Sequence, residues 1–118
     1  MITIYHRDVY LPETILKGIP EIRICPKYTD HAFDQAEKNT YEVIVLPTVL
    51  TLYHEYLFEV TVSGDKEVEK IAYRLPYSEE FDLCITYVPH NNLVLTVWLN
   101  EVNDNHPTLK KERYAQCI

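Results

Sequence analysis

Glycine is scarce in this sequence. Gly18 and Gly64 are the two glycines among 118 residues. The phosphate-binding loops of P-loop and dinucleotide-binding proteins need backbone amides exposed at several glycines. The scarcity of glycine therefore excludes both of these nucleotide-binding classes.

Cysteine is also sparse, and no pattern of metal ligands accompanies it. The three cysteines, Cys25, Cys84 and Cys117, are odd in number and far apart. This argues against a disulfide framework and predicts a reduced, cytoplasmic protein. No Cys-x-x-Cys or His/Cys pair has zinc-ligand spacing, and the five histidines never fall four residues from a second ligand type. We therefore expect no metal site and no cofactor.

Long apolar runs and excess positive charge are missing as well. No apolar run approaches the ~20 residues that span a bilayer, and the first ten residues have no signal-peptide pattern, so we expect no membrane partner. The net charge is −7, from 18 acidic and 11 basic residues. Non-specific nucleic-acid binding depends on positive charge, so it should be weak here, whereas a basic protein partner is well tolerated.

The amino-acid composition is typical of a folded domain. Hydrophobic residues make up 47% of the chain and charged residues 25%, which is ordinary for a globular protein. The length predicts a single domain, 1–118. Pro12, Gly18 and Pro20 interrupt the start of the chain, so we expect an N-terminal arm over 1–27 and a core over 28–118.

The best helix pattern in the chain covers Thr29 to Asn39. Thr29 or Asp30 is a suitable N-cap for it. Ala32, Phe33 and Ala36 form one apolar stripe, which should place Phe33 and Ala36 against a sheet.

Strand patterns dominate the rest of the chain. They cover Glu42–Leu46, Leu50–Val62, Val68–Leu75, Leu83–Val88 and Leu93–Leu99. Short turns join the last three strands, so these should be consecutive antiparallel neighbours, with Trp98 in the core. The expected fold class is α+β: an antiparallel sheet of four to six strands with one main N-terminal helix packed on it.

Chemistry-bearing residues concentrate in the C-terminal half. Lys70 and Arg74 share one strand face because they are four residues apart. The tail adds His106, Thr108, Lys110, Lys111, Arg113 and Tyr114. Such residues suit metal-free RNA cleavage, in which an acid and a base move protons while cations hold the phosphoryl charge. Histidine titrates near neutrality and suits either proton role.

Structural interpretations of the same residues stay open. A Lys–Arg strand face is more often solvated than catalytic. His106-Pro-Thr reads equally well as a turn, and Lys-Lys-Glu-Arg as an exposed helix end. His31, at the start of the predicted helix, is more often a capping or packing residue than an acid.

Three segments carry a family resemblance. They are YTDHAFDQA (28–36), EKIAYRLPYSEEFDLCITYVP (69–89) and LVLTVWLNEVNDNHPTLKKERY (93–114). In this order they resemble the helix, the paired strands and the tail of phage-encoded small proteins related to the barnase–EndoU–colicin–RelE nuclease superfamily. The resemblance implies an antiparallel sheet behind N-terminal helical structure, and RNA as substrate, including tRNA or ribosome-bound RNA.

The resemblance also implies roles for individual residues. It makes His106 the proton donor or acceptor, His31 a second such group, and Lys70 and Arg74 phosphate ligands. Thr108 and Tyr114 would position the phosphate or a base. From their residue types and their place in the tail, Lys110 and Arg113 are predicted to bind the substrate as well. The hypothesis is a metal-independent endoribonuclease-like phage protein that acts in the host cytoplasm.

Two other functions remain compatible with the sequence. One is a non-catalytic acidic phage protein that binds and inhibits a host or defence protein. Ten tyrosines and the acidic balance suit such a surface, since tyrosine is favoured at interfaces. The other is a structural phage component.

Overall fold

A six-stranded sheet with the order β1-β5-β6-β7-β8-β3 organises the chain. The structure is a computed structural model, and it describes residues 1–104 and Tyr114. The strands are β1 (Thr3–His6), β2 (Ile22–Ile24), β3 (Lys27–Tyr28), β4 (Leu50–Leu52), β5 (Leu57–Val62), β6 (Val68–Pro76), β7 (Phe81–Val88) and β8 (Leu93–Glu101). The helices are α1 (Glu13–Lys17) and α2 (Asp30–Glu37), with short 3-10 turns at His54–Tyr56 and Pro89–Asn91. The fold is α+β, and the sheet is mostly antiparallel.

Strands β6, β7 and β8 form a regular antiparallel meander. The connection to β8 ends at Asn92, whose left-handed backbone (φ 51°, ψ 47°) lets the chain reverse. A tight turn after Ser63 likewise joins β5 to β6 as antiparallel neighbours. The prediction that the last three strands are consecutive antiparallel neighbours is confirmed.

The first part of the chain is integrated into the fold. Strand β1 pairs with β5 and forms one edge of the main sheet. Helix α1 forms where the sequence predicted irregular structure. Strands β2 and β4 form a separate two-stranded sheet. The segment predicted as an arm therefore supplies strands to both sheets.

The segment Glu42–Leu46 is not a strand, so this prediction was wrong. Its valines favour β structure, but none of the strands among residues 1–104 pairs with this segment. The amide of Ile44 donates instead to the carbonyl of Ala36 (2.8 Å), and that of Val45 donates to Oη of Tyr77 (2.9 Å). This segment is an extended coil held by local hydrogen bonds.

One face of the main sheet forms the hydrophobic core. In β6 the side chains of Ile71, Tyr73 and Leu75 are buried there. In β7 Leu83 and Ile85 pair with members of this row and extend it. Alternate residues of the same strands point to the opposite face.

Helix α2 begins where predicted. Thr29 is its N-cap, because Oγ1 accepts a hydrogen bond from the amide of Ala32 (3.0 Å). Ala32 and Ala36 are buried, whereas Phe33 is 55% exposed and contacts the ring of Tyr28. The prediction that Phe33 packs on the sheet was wrong, because the helix approaches closely through its two small residues.

Helix α2 also closes part of the sheet edge at β8. Thr29 Oγ1 donates to the carbonyl of Leu95 (2.8 Å), and the amide of Val97 donates to Oε1 of Gln35 (3.0 Å). These side chains satisfy strand groups that no neighbouring strand reaches beyond the short β3. The helix is therefore fixed to the strand edge by hydrogen bonds as well as by packing.

Trp98 is not a core residue, contrary to the prediction. It is partly exposed, and it lies opposite Cys84 of β7 on the face that points away from the core. Its neighbours Val97 and Leu99 are buried in the core. The continuous apolar run of β8 concealed this alternation.

The described helices are all short or polar. Among residues 1–104, no helix has both the length and the apolar character needed to cross a membrane.

Candidate functional site

The face of the main sheet opposite the core is rich in polar and titratable side chains, and we call it the polar face. Residues that are paired across strands share a face of the sheet. The strand register therefore shows which polar and neighbouring side chains lie on the polar face. They are His6, Glu59, Thr61, Lys70, Ala72, Arg74, Asp82, Cys84, Thr86, Thr96, Trp98 and Asn100.

Lys70 and Arg74 both belong to the polar face, as their spacing predicts. Lys70 is exposed and lies opposite Thr61 of β5. Arg74 is partly buried and lies opposite Cys84 of β7. The two Cα atoms are four residues apart on one strand, roughly 13 Å. The two cations therefore occupy different ends of the face.

The guanidinium of Arg74 holds the end of β8. Nε donates to Oδ2 of Asp82 (2.7 Å) in an ion pair. Nη1 donates to the carbonyl of Asp104 (2.8 Å) and Nη2 to that of Glu101 (2.7 Å). Its charge is thus balanced by Asp82, and most of its donors serve the turn after β8. This places Arg74 as a structural cation that also borders the cleft described below.

Tyr114 lies on the polar face beside β1 and β5. Its Oη donates to Oε2 of Glu59 (3.0 Å), and its ring centroid is 4.8 Å from that of His6. Nδ1 of His6 accepts a hydrogen bond from the amide of Asp8 (3.0 Å). His6 and Glu59 are directly paired between β1 and β5. We call this set the His–Glu–Tyr cluster: His6, Glu59 and Tyr114.

A cleft of about 310 Å³ opens next to this cluster. It is lined by Arg7, Glu55, Tyr56, Leu57, Phe58, Arg74, Pro76 and Asp82. Its volume is at the lower end of the range for small-molecule sites, about 300–1,000 Å³. Phe58 lines the cleft, and its ring centroid lies 5.9 Å from that of His6, so the cleft adjoins the cluster.

Arg7 is the second cation of the cleft. Its Nη1 donates to the carbonyl of Glu55 (2.7 Å) and its Nη2 to that of His54 (2.8 Å). These contacts fix the guanidinium plane while the residue remains exposed. A guanidinium has five N–H donors, and the described contacts use two of them. Arg7 is therefore held in place, and the N–H groups of its guanidinium that the described contacts do not use are available to an anion.

His31 does not join this arrangement. His31 is exposed on α2, at the edge of the sheet beyond β8. Strands β7 and β8 separate it from Lys70 and Arg74, at roughly 5 Å per strand. The predicted residues that lie outside the described part of the chain are His106, Thr108, Lys110 and Arg113.

His6, Arg7 and Glu59 were missed by sequence reasoning. Their proximity depends on the pairing of β1 with β5, which joins positions more than 50 residues apart. No spacing of nearby residues in the sequence predicts such a contact. The available signal was the alternating segment Ile2–His6, which indicates a strand but not its partner.

The described residues of this region include neither a cluster of metal-ligating side chains nor an activated thiol. Within residues 1–104 and Tyr114, no group of three or more His, Cys, Asp or Glu side chains could hold a metal ion. Burial raises the pKa of the Cys84 thiol to about 12, and Asp82 adds to this effect while Arg74 opposes it. Cys84 is therefore a neutral thiol at physiological pH and not an activated nucleophile.

Comparisons of the chain with protein-family models, with curated proteins and with solved structures found no match. The resemblance to the nuclease superfamily thus stays a prediction from the sequence motifs.

Proposed function

We propose that this protein cleaves RNA without a metal ion, at the cleft beside the His–Glu–Tyr cluster. The observation that carries the proposal is the position of a histidine and a carboxylate next to a cleft bordered by two guanidinium groups. Acid–base groups and fixed cations are what metal-free cleavage of a phosphodiester requires.

The chemistry assigns a role to each group. Glu59 takes the proton of a ribose 2′-hydroxyl, whose oxygen then attacks the adjacent phosphorus. The bond from phosphorus to the 5′-oxygen breaks, and a histidine gives its proton to that oxygen. The products are a 2′,3′-cyclic phosphate and a 5′-hydroxyl. His106 of the tail, which is predicted to act as acid or base, is the first candidate for this acid, and His6 is the alternative among the described residues.

Glu59 is the better base because it is more accessible than His6, which is 5% exposed beneath Tyr114. The hydrogen bond from Tyr114 orients the carboxylate of Glu59. Arg7 supplies donors to the phosphoryl oxygens that gain charge during the attack. Arg74 acts as a positioning residue, since its own donors hold the strand end.

The test is cleavage of a defined single-stranded RNA by the purified full chain in EDTA. We expect products that end in a 2′,3′-cyclic phosphate, identified by mass spectrometry, and no cleavage when the attacking ribose lacks its 2′-hydroxyl. Glu59→Gln should lower the rate by about 10²–10⁴, as expected for loss of a general base. Arg7→Ala should lower it by about 10²–10³.

Glu69→Gln is the matched control for Glu59→Gln, because Glu69 is an exposed glutamate outside the cleft and its loss should leave the rate unchanged. Absence of RNA cleavage by the wild-type chain contradicts the proposal, and so does full activity of Glu59→Gln. His106→Ala and His6→Gln then distinguish the two candidate acids. If RNA is not cleaved, the alternative of a non-catalytic protein that binds and inhibits a host or defence protein takes precedence.

A further inference from the structure

A second surface, where β7 begins and β8 ends, combines exposed apolar side chains with carboxylates. We call it the acidic surface. Its apolar members are Tyr41, Val43, Val45, Phe81 and Val102, and its acidic members are Glu42, Glu79, Glu80 and Glu101.

Three described contacts make this surface continuous. The rings of Tyr41 and Phe81 contact each other at a centroid distance of 4.8 Å. The amide of Val45 donates to Oη of Tyr77 (2.9 Å), which ties the extended segment to the loop before β7. The amide of Val102 donates to the carbonyl of Glu80 (2.9 Å), which ties that loop to the end of β8.

The side chains of Val43 and Val45 are exposed because the residue between them, Ile44, is the one that is buried in the core. Ile44 is 4% exposed, whereas its neighbours Val43 and Val45 are 63% and 75% exposed. Tyr41, whose ring contacts Phe81, is 52% exposed. Contiguous apolar surface of this kind on a folded protein is typical of a binding site.

The described side chains that line the cleft of this surface carry charge of one sign, while the guanidinium of Arg74 borders it through hydrogen bonds to the carbonyls of Glu101 (2.7 Å) and Val102 (3.3 Å). A cleft of about 320 Å³ is lined by Glu79, Glu80, Phe81, Glu101, Val102 and Asn103. These described lining residues include three glutamates and no cation. Such a cleft repels a phosphate backbone, and it attracts lysine and arginine.

We propose that the acidic surface docks a basic segment of another protein, in which arginine or lysine flanks an apolar anchor. The anchor packs against Tyr41 and Phe81, and the flanking cations pair with Glu79, Glu80 and Glu101. Arginine suits this position well, since it stacks on aromatic rings and forms paired hydrogen bonds with carboxylates. Docking here does not depend on RNA cleavage, because the cleft that contains Arg7 shares no lining residue with the acidic surface.

The test uses a fluorescein-labelled synthetic peptide in which arginines alternate with leucine and tryptophan. A matched peptide carries glutamate in place of each arginine. Fluorescence anisotropy with the full chain should show saturable binding of the basic peptide, weakened at least about tenfold between low and 0.3 M salt, since screening reduces exposed charge pairs. The acidic peptide should not bind.

Two pairs of variants locate the binding. Val43→Ser with Val45→Ser, and separately Glu79→Lys with Glu80→Lys, should each weaken binding at least about tenfold. The controls are Ile2→Ser, which removes another exposed apolar side chain, and Glu67→Lys with Glu69→Lys, which makes the same charge change elsewhere. The controls should change the affinity less than about twofold, and all variants should keep the wild-type melting temperature.

No binding of the basic peptide overturns the proposal. Equal losses in the test and control variants overturn it too, because they indicate attraction by net charge alone. Competition by an unstructured RNA oligonucleotide for these same residues, mapped by amide chemical shifts, would assign the surface to nucleic acid instead.

Discussion

In β7, Ile85 points into the core, while its neighbours Cys84 and Thr86 point to the polar face. The core face of this strand is filled by Leu83, Ile85 and Tyr87, which pack in the hydrophobic core. The polar face carries hydrogen bonds and ion pairs between neighbouring strands. Because adjacent residues of one strand serve different faces, stability and the proposed chemistry should respond separately to substitution.

The largest effect is expected on the core face. Ile85 is 0% exposed in a central strand, so Ile85→Ala should lower the free energy of unfolding by about 2–5 kcal/mol. Its matched control is Thr86→Ala, which removes one hydroxyl hydrogen bond, with Thr96 (2.8 Å), and should cost about 1 kcal/mol. Urea denaturation measures both. Equal losses would remove the distinction between the two faces.

An intermediate effect is expected at Arg74, where the polar face has a structural role. Arg74→Ala removes the ion-pair partner of Asp82 and the guanidinium's hydrogen bonds to the carbonyls of Glu101 and Asp104, at a cost of about 1.5–3 kcal/mol. Arg74→Lys should not restore stability, since an ammonium cannot reproduce the planar set of donors.

Arg23→Ala is the control for this substitution, because Arg23 is exposed in β2 and should cost less than about 0.5 kcal/mol. Urea midpoints give the comparison, and hydrogen exchange should show the end of β8 opening in Arg74→Ala. A midpoint equal to that of Arg23→Ala would mean that these hydrogen bonds contribute nothing to stability.

The smallest effect concerns the thiol of Cys84 and appears only at high pH. Burial raises its pKa from 9.0 to about 12. Below pH 9 the thiol is protonated in both folded and unfolded chains, so it does not make stability depend on pH. Between pH 9 and about 12 the unfolded chain loses this proton and the folded chain keeps it, so stability falls as pH rises.

The expected loss is at most about 1.4 kcal/mol per pH unit in this window. Urea midpoints from pH 8 to 10.5 measure it in a Cys25→Ser, Cys117→Ser background, with Cys84→Ala as the control that removes the titrating group. In wild type, a thiol reagent at pH 8 should modify the exposed Cys25 and leave the buried Cys84 unmodified. Equal modification of both would show that the polar face is open at Cys84.

The fold was predictable where local pattern and topology agree. Short turns between apolar strand segments identified the meander of β6, β7 and β8. The pattern failed at Glu42–Leu46, because β-propensity reports a fit to a pleated surface and this segment has no strand beside it. It failed at Phe33 because helix periodicity does not tell whether a small or a large residue makes the closest approach.

The candidate site was predictable only in part. The period of two placed Lys70 and Arg74 on one face. The engagement of Arg74 with carbonyls after β8 depends on a tertiary contact about 30 residues away, which no local rule provides. His6 and Glu59 meet through the pairing of β1 with β5, so their proximity is a property of the topology.

Helix α2 also affects how the molecule meets copies of itself. Unpaired amides and carbonyls along a strand edge form a template on which another chain can add a strand, the first step of aggregation. At Leu95 and Val97 this template is already occupied by Thr29 and Gln35. A second molecule cannot extend the sheet there without first detaching the helix, so the N-cap of α2 also protects the protein against self-association at this edge.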